Sequence, residues 1–164
     1  IMHIYLKKKI LYFRDYKIKC SIGKRGLTSR KREGDLKTPK GSFGFNLLYY
    51  RADRIKNIKT KIKIKKIQKN FGWCDDPNSK YYNKLIHFPF KKSAEKLYLG
   101  NNMYDIILVL NFNTKPVIKN RGSAIFLHIT NKKFSYTKGC LAVKKRDLIK
   151  ILPFINKRTK IIIS

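Results

Sequence analysis

The sequence predicts a mainly β protein that carries one or two short helices. Three observations support this: polar and apolar residues alternate in YKIKCSIG (residues 16–23), apolar runs occupy residues 104–112 and 123–129, and only one segment has a strong helical pattern. The chain of 164 residues suits one domain with one sizeable core, and neither a repeat nor a boundary divides it. We therefore expect a single domain over residues 1–164.

The predicted strands follow one another along most of the chain. KGSFGFNLLYY (residues 40–50) leaves a Pro-Gly turn and becomes apolar, whereas YDIILVLNF and SAIFLHI are mostly apolar, as in strands buried on both faces. KIIIS closes the chain as a short β-branched strand. The Ile-Lys alternation at residues 62–67 predicts an exposed edge strand whose lysines oppose pairing with other chains. A ribbon that faces nucleic acid is the alternative.

Two segments have helical patterns of unequal strength. KKRDLIKILPFI (residues 144–155) spaces its apolar residues at helical intervals, and Pro153 should end or kink the helix. KSAEKLYL (residues 92–99) gives a weaker pattern, with Ser93 as the N-cap. The second segment decides whether the fold has one helix or two.

The charge is strongly basic, with 40 Lys and Arg against 9 Asp and Glu and a formal net charge of +31. Such a balance is typical of proteins that bind nucleic acid or an anionic surface. Most of the basic residues are Lys, however, and Lys, Ile and Asn are all abundant, as A/T-rich codons would produce. We favour this compositional explanation, which implies no partner.

Cysteine and histidine usage predicts neither a disulfide framework nor a metal site. The three cysteines form no C-x-x-C pair and the three histidines lack metal-ligand spacing. Cys20 and Cys74 are expected to be structural, and His3 and His87 to lie on the surface. No apolar run reaches transmembrane length and the first residues lack the features of a signal peptide, while the oligomeric state stays open.

The segment HITNKKFSYTKGCLAV (residues 128–143) contains the strongest candidate for chemistry. If the runs that end in His128 and begin at Cys140 are antiparallel neighbours, both side chains reach the same end of the sheet. The imidazole would then take the proton of the thiol, because the thiolate is the nucleophile. Lys138 would favour the thiolate, and the N–H groups of Gly139 and Cys140 would stabilise an oxyanion. The alternative is a buried cysteine beside a satisfied core histidine.

This segment resembles the signature of the YkuD-type L,D-transpeptidases, in which a His precedes a loop that ends in Ser/Thr-x-Gly-Cys. TSRKREGDLKTPKGSFGF resembles the Gly-Asp-x-x-Thr-Pro-x-Gly-x-Phe segment of that family. YRADR, GWCDDPNSKYYN, YDIILVL and RGSAIFLHI resemble segments of a compact bacterial branch, so the resemblance covers nearly the whole chain. Two departures are Lys138, where the family often has His, and a shorter loop between His128 and Cys140.

The resemblance implies a β-sandwich of mixed sheets and a cysteine acyltransferase that needs no metal or cofactor. Cys140 would attack a peptidoglycan tetrapeptide stem, release the terminal D-alanine and form a thioester. A second stem would resolve it to a 3→3 crosslink, and water would give L,D-carboxypeptidase products. His128 would act as base and then as acid. The periplasm or cell envelope is the implied location, with the cytoplasm as the alternative because no export signal is visible.

The resemblance also suggests residues that contact the substrate. Thr137 would lie near the thiolate, Arg121 would bind a substrate carboxylate, and a carbonyl near residues 121–123 would orient the imidazole. The predicted substrate-binding set is Thr137, Lys138, Arg121, Ser123, Trp73 and Asn83, with core packing the favoured role for Trp73. The rival function is a basic module that binds anionic wall polymer or nucleic acid through a degenerate site; no specific nucleic acid is implied.

Overall fold

The computed structural model describes residues 2–164. Within that range the secondary structure consists of short strands, one α-helix and one 3₁₀ helix. The elements are β1 (Ile4–Lys7), β2 (Ile10–Phe13), β3 (Tyr16–Ser21), β4 (Leu27–Thr28), β5 (Thr38–Pro39), β6 (Gly41–Phe43), β7 (Phe45–Tyr50), β8 (Ile64–Lys66), β9 (Phe71–Cys74), β10 (Leu85–His87), β11 (Ala94–Lys96), β12 (Ile106–Leu110), β13 (Phe126–Ile129), β14 (Leu141–Val143), α1 (Lys145–Ile151), the 3₁₀ helix (Leu152–Phe154) and β15 (Ile161–Ile163).

Ten of the strands form one mixed sheet, in the order β6-β15-β1-β2-β3-β14-β13-β12-β7-β8. Both ends of this sheet supply side chains to the same large core, so the sheet curls around it as the two layers of a sandwich would. Ile4 and Leu11 come from one end, Leu48 and Leu108 from the other, and α1 contributes Leu148. The predicted mainly β fold of mixed sheets is confirmed.

A second core lies on the opposite face of β7, β12 and β13. The three-stranded sheet β10-β9-β11 covers this face. Its aromatic side chains meet edge to face: the ring of Trp73 lies 5.2 Å from that of Phe126 and 6.1 Å from that of Tyr49. The small sheet thus builds a wall over the central strands.

Several predicted elements are confirmed at the expected positions. β8 is the last strand of the large sheet, pairs only with β7 and has three exposed side chains, as an edge strand rich in lysine should. The helix begins at Lys145 and tightens into the 3₁₀ turn that contains Pro153, which cannot donate the next helical hydrogen bond. Among the described residues no helix has the length and apolar character needed to span a membrane.

The predicted helix at residues 92–99 is wrong. Its centre is β11, which pairs antiparallel with β9 so that Glu95 lies opposite Trp73. Leu97 then becomes fully buried in the second core. Pairing with β9 and burial of Leu97 outweigh a helical preference that eight residues express only weakly.

The expected antiparallel pairing around the His–Cys segment is also wrong. β13 and β14 are parallel, with His128 opposite Ala142. The intervening loop runs back along the sheet, and Thr137 forms a bridge with Gly23 on the way. A parallel pair requires such a crossover. Two residues before Ala142, Cys140 still shares a side of the sheet with His128, because side chains alternate along a strand.

Candidate active site

The thiol of Cys140 is held by the beginning of β13. Its Sγ donates to the carbonyl oxygen of Ala124 at 2.9 Å and accepts the backbone N–H of Phe126 at 3.4 Å. The imidazole of His128 contacts the carbonyl oxygen of Ile129 through Nδ1 at 3.0 Å. Within the part of the chain that the structure describes, thiol and imidazole lie on one face of the sheet, and each is hydrogen-bonded to the backbone and not to the other.

Burial keeps the imidazole of His128 neutral. The side chain is 4% exposed. Burial lowers the pKa of His128 to about 4, although the carbonyl of Ile129 acts in the opposite direction. The ring of Tyr104 stands edge to face on the imidazole at 5.2 Å. The carbonyl that orients the imidazole is that of Ile129, not one near residues 121–123 as expected.

The thiol of Cys140 is also neutral at rest. Burial raises its pKa to about 12, and the carboxylate of Glu95 adds to this effect. The N–H of Phe126 and the ammonium group of Lys31 act in the opposite direction. The sequence suggested Lys138 as the activating cation, but the cation that lowers the pKa of Cys140 is Lys31; the charge of Lys138 acts on Glu95 instead.

The turn before Cys140 is fixed by Thr137. Its hydroxyl donates to the carbonyl oxygen of Cys140 at 2.6 Å and accepts the N–H of Gly139 at 3.1 Å. Gly139 has φ +149°, and a Cβ there would lie 2.9 Å from the carbonyl oxygen of Lys37. Glycine is required because the loop of Lys37 approaches this closely.

The Gly-Asp…Thr-Pro loop locks the same turn from the other side. The hydroxyl of Thr38, fully buried, donates to the carbonyl oxygen of Gly139 at 2.8 Å and accepts the N–H of Gly23. The stem of Lys31 packs along Gly139, and its Nζ lies 2.5 Å from Oδ1 of Asp35. The two sequence motifs therefore meet at Cys140.

Asn83 and Trp73 form a hydrogen-bonded pair next to the candidate site. Oδ1 of Asn83 accepts Nε1–H of Trp73 and the backbone N–H of Ala124, both at 2.9 Å. Asn83 is buried and has φ +57°, a conformation that Asn tolerates better than most residues. This contact fixes Ala124, whose carbonyl holds the thiol. The predicted substrate contacts of Trp73 and Asn83 stay predictions.

Ser123 belongs to a buried polar cluster. Its Oγ donates to Oε1 of Glu33 at 2.6 Å, and Oη of Tyr82 donates to the same oxygen at 2.7 Å. The hydroxyl of Tyr82 in turn accepts the N–H of Gly122. Burial and the Glu33 carboxylate raise the pKa of Tyr82 above its usual range. The cluster ties residues 31–35 to the chain that leads into β13.

Arg121 lies in a basic cavity beside these elements. The cavity has a volume of about 420 Å³, and its lining includes Arg30, Lys31, Arg32, Lys119 and Arg121. Arg121 is exposed, whereas Lys31 is almost buried where it passes Gly139. The cavity thus extends from solvent towards residues 137–140, which we call the nucleophile turn after the role that the sequence predicts for Cys140, and its charge suits a carboxylate or another anion.

Sequence reasoning missed Lys31, Glu95 and Tyr104. The hydroxyl of Tyr104 donates to Oε1 of Glu95 in a short hydrogen bond, and its ring lies on both His128 and Phe126. In the sequence Lys31 is one lysine among many, and Glu95 falls within the segment whose weak pattern predicts a helix. Tyr104 opens an apolar run and carried no signal of its own.

Other side chains that could bind a metal or form a disulfide are dispersed. Across residues 2–164 no group of three or more His, Cys, Asp or Glu side chains is close enough to hold a metal ion. All three cysteines are free thiols, and Cys20 and Cys74 are buried as expected. His87 is exposed, while His3 is half-buried and accepts the N–H of Lys160.

These features define a mainly β protein with a cysteine and a histidine side by side on one face of a curled mixed sheet. The sequence model of the L,D-transpeptidase catalytic domain (YkuD) matches residues 2–163, nearly the whole chain. The chain therefore belongs to this family of acyltransferases. A search of curated proteins and a search of solved structures gave no match.

Proposed function

We propose that the protein is a cysteine L,D-transpeptidase that acts on peptidoglycan stem peptides. The supporting observation is the placement of Cys140 and His128 on one face of neighbouring strands, within a domain of this family. Cys140 attacks the carbonyl after the diamino acid of a tetrapeptide stem, and the terminal D-alanine leaves. An acceptor amine then gives a 3→3 crosslink, and water gives the carboxypeptidase product.

The resting pair is uncharged, so the proton moves as the substrate binds. With Nδ1 turned to the carbonyl of Ile129, Nε2 is the nitrogen left to accept a proton. The thiol must release the carbonyl of Ala124 and turn towards the imidazole. Because burial disfavours both charged forms, we propose that proton transfer accompanies attack on the carbonyl instead of preceding it.

The nucleophile turn supplies the proposed oxyanion donors. The N–H groups of Gly139 and Cys140 lie beside the sulfur by their position in the chain. The N–H of Gly139 already donates to the hydroxyl of Thr137. An oxyanion would therefore replace this hydroxyl as the acceptor or share the N–H with it. Arg121 and Lys31 line the basic cavity and would bind a substrate carboxylate, while Lys138 is exposed next to the nucleophile.

Intact-mass spectrometry with a tetrapeptide stem or a carbapenem tests the proposal. The wild type should gain the mass of the acyl group, and Cys140→Ala should gain none. Cys20→Ala is the matched control because it removes a buried thiol away from the site, and it should still be acylated. An adduct on Cys140→Ala, or none on the folded wild type, would contradict the proposal.

The basic cavity and the net charge of +31 favour a second candidate, the binding of anionic wall polymer. Such binding should weaken steeply as salt rises, because it releases counterions, and Cys140→Ala should bind as the wild type does. Affinity that is indifferent to salt would exclude it. A location in the cell envelope follows from either substrate and is proposed with them; cell fractionation tests it.

A further inference from the structure

The strand β11 places a carboxylate beside the nucleophile. Glu95 pairs with Trp73, and the ring of Trp73 packs on Phe126, whose N–H donates to the thiol of Cys140. β11 therefore lies across the face of β13 that carries the candidate active site. Glu95 is half-buried, so it is accessible from the site without being fully solvated.

Only one oxygen of this carboxylate has a partner. Oε1 accepts the hydroxyl of Tyr104, whose ring packs on His128. Oε2 makes no hydrogen bond to any described residue, and it is not among the buried polar atoms that lack a partner. It must therefore reach solvent, and it is held in place because Oε1 is fixed.

The local charge contrasts with that of the chain. Burial is the largest influence that raises the pKa of Glu95, and the charges of Asp75 and Glu33 raise it further. Three of the nine acidic residues of the chain therefore lie near one another around Glu95. Lys138 acts in the opposite direction but forms no ion pair with Glu95 in the described chain. In a protein with a net charge of +31, this is a local concentration of acidic side chains.

A purely structural role does not account for the negative charge. The neutral amide of a glutamine has the same shape and would accept the hydrogen bond from the hydroxyl of Tyr104 equally well. The carboxylate instead raises the pKa of Cys140, which disfavours the nucleophilic thiolate. A cation bound to Oε2 would cancel this effect, so the charge makes chemical sense when a cation occupies the site during reaction.

We propose that Glu95 is an ammonium-binding residue, whose free carboxylate oxygen binds a primary ammonium group presented next to Cys140. The binding itself is independent of the proposed function. The identity of the ammonium group, however, rests on the proposed function. The amine belongs either to the donor stem peptide or to the acceptor stem peptide. With an acceptor amine, Glu95 favours aminolysis of the thioester over hydrolysis; with a donor amine, it favours formation of the thioester.

Two isosteric thiol reagents test the binding without any stem peptide. Aminoethyl methanethiosulfonate is cationic and propyl methanethiosulfonate is neutral, and each thiolate converts either reagent to a mixed disulfide with release of methanesulfinate. Because both reagents react with the same thiolate of Cys140, a change in the pKa of the thiol alters both rates equally and cancels in their ratio. Glu95→Gln should lower the cationic-to-neutral ratio about fivefold to tenfold, as for one charge pair in a partly exposed site.

Two control variants separate charge from structure. Tyr104→Phe removes the hydrogen bond but keeps the carboxylate, so its ratio should stay well above that of Glu95→Gln. Asp147→Asn removes one negative charge from α1 and should leave the ratio unchanged. Equal ratios in the wild type and Glu95→Gln would overturn the proposal, as would an equal loss in Asp147→Asn.

Stem peptides then identify the source of the ammonium. If it belongs to the acceptor, Glu95→Gln should form the thioester no more slowly than the wild type but yield several-fold more hydrolysis relative to aminolysis. If it belongs to the donor, thioester formation itself should slow. A wild type that shows the reagent preference but never acylates would overturn the proposed function and leave the ammonium site standing.

Discussion

The two faces of β13 differ in where their neighbours come from. Ile125, Leu127 and Ile129 belong to the large core of apolar side chains, where one aliphatic side chain can replace another at modest cost. Phe126 and His128 point the other way, towards Trp73 on β9 and Tyr104 just before β12. One face therefore stabilises the domain, and the other positions chemical groups.

Replacement of the imidazole tests the chemical face and has the largest expected effect. His128→Gln should slow thioester formation by about 10²–10⁴-fold, because it removes the neutral imidazole that is proposed to take the proton of Cys140. Rates from intact-mass time courses measure this. His87→Gln, on an exposed histidine, should act as the wild type. Rates that match in both variants would remove His128 from the mechanism.

Truncation on the other face should affect stability and leave the chemistry intact. Leu127 is fully buried in the large core, so Leu127→Ala should lower the free energy of unfolding by about 2–5 kcal/mol. Urea denaturation measures the loss. Acylation per folded molecule should stay within about threefold of the wild type at low temperature, since the thiol and imidazole contact the opposite face. A large loss of rate in folded protein would show that the faces are coupled.

The buried imidazole should also make stability depend on pH. The pKa of His128 is 6.5 when unfolded and about 4 when folded, so the unfolded state binds more protons between these values. Stability is therefore complete above about pH 6.5 and falls as the pH drops towards 4, by roughly 3 kcal/mol at most. Denaturation of wild type and His128→Gln at several pH values isolates this contribution, because other titrating groups cancel in the difference. Parallel curves would refute the shift.

The sequence predicts the apolar face well and the chemical face only in part. Alternation and apolar runs locate β3, β12 and β13, because burial is a local property of the side chains that a strand presents. The direction of β14 relative to β13 depends on the path of a polar loop, which no local pattern encodes. Cys140 and His128 can be proposed as a pair from the sequence because their motif is local. The carboxylate of Glu95 reaches the site only through the pairing of β11 with β9.

The smallest expected effect distinguishes two lysines. Lys31 lowers the pKa of Cys140 from a nearly buried position, whereas Lys138 is exposed and acts on Glu95. Lys31→Met keeps the apolar stem against Gly139 and removes the charge, so alkylation of Cys140 by iodoacetamide near pH 8 should slow roughly twofold to fivefold.

Lys138→Met is the matched control, because it removes the same charge from the turn itself. It should alter the alkylation rate less than Lys31→Met does, since its charge reaches the thiol only through Glu95. The comparison should be made at low and at moderate salt, because the effect of the exposed lysine is screened more strongly. A larger effect at Lys138 would show that the exposed lysine two residues before Cys140 lowers the pKa of the thiol, and not the nearly buried Lys31.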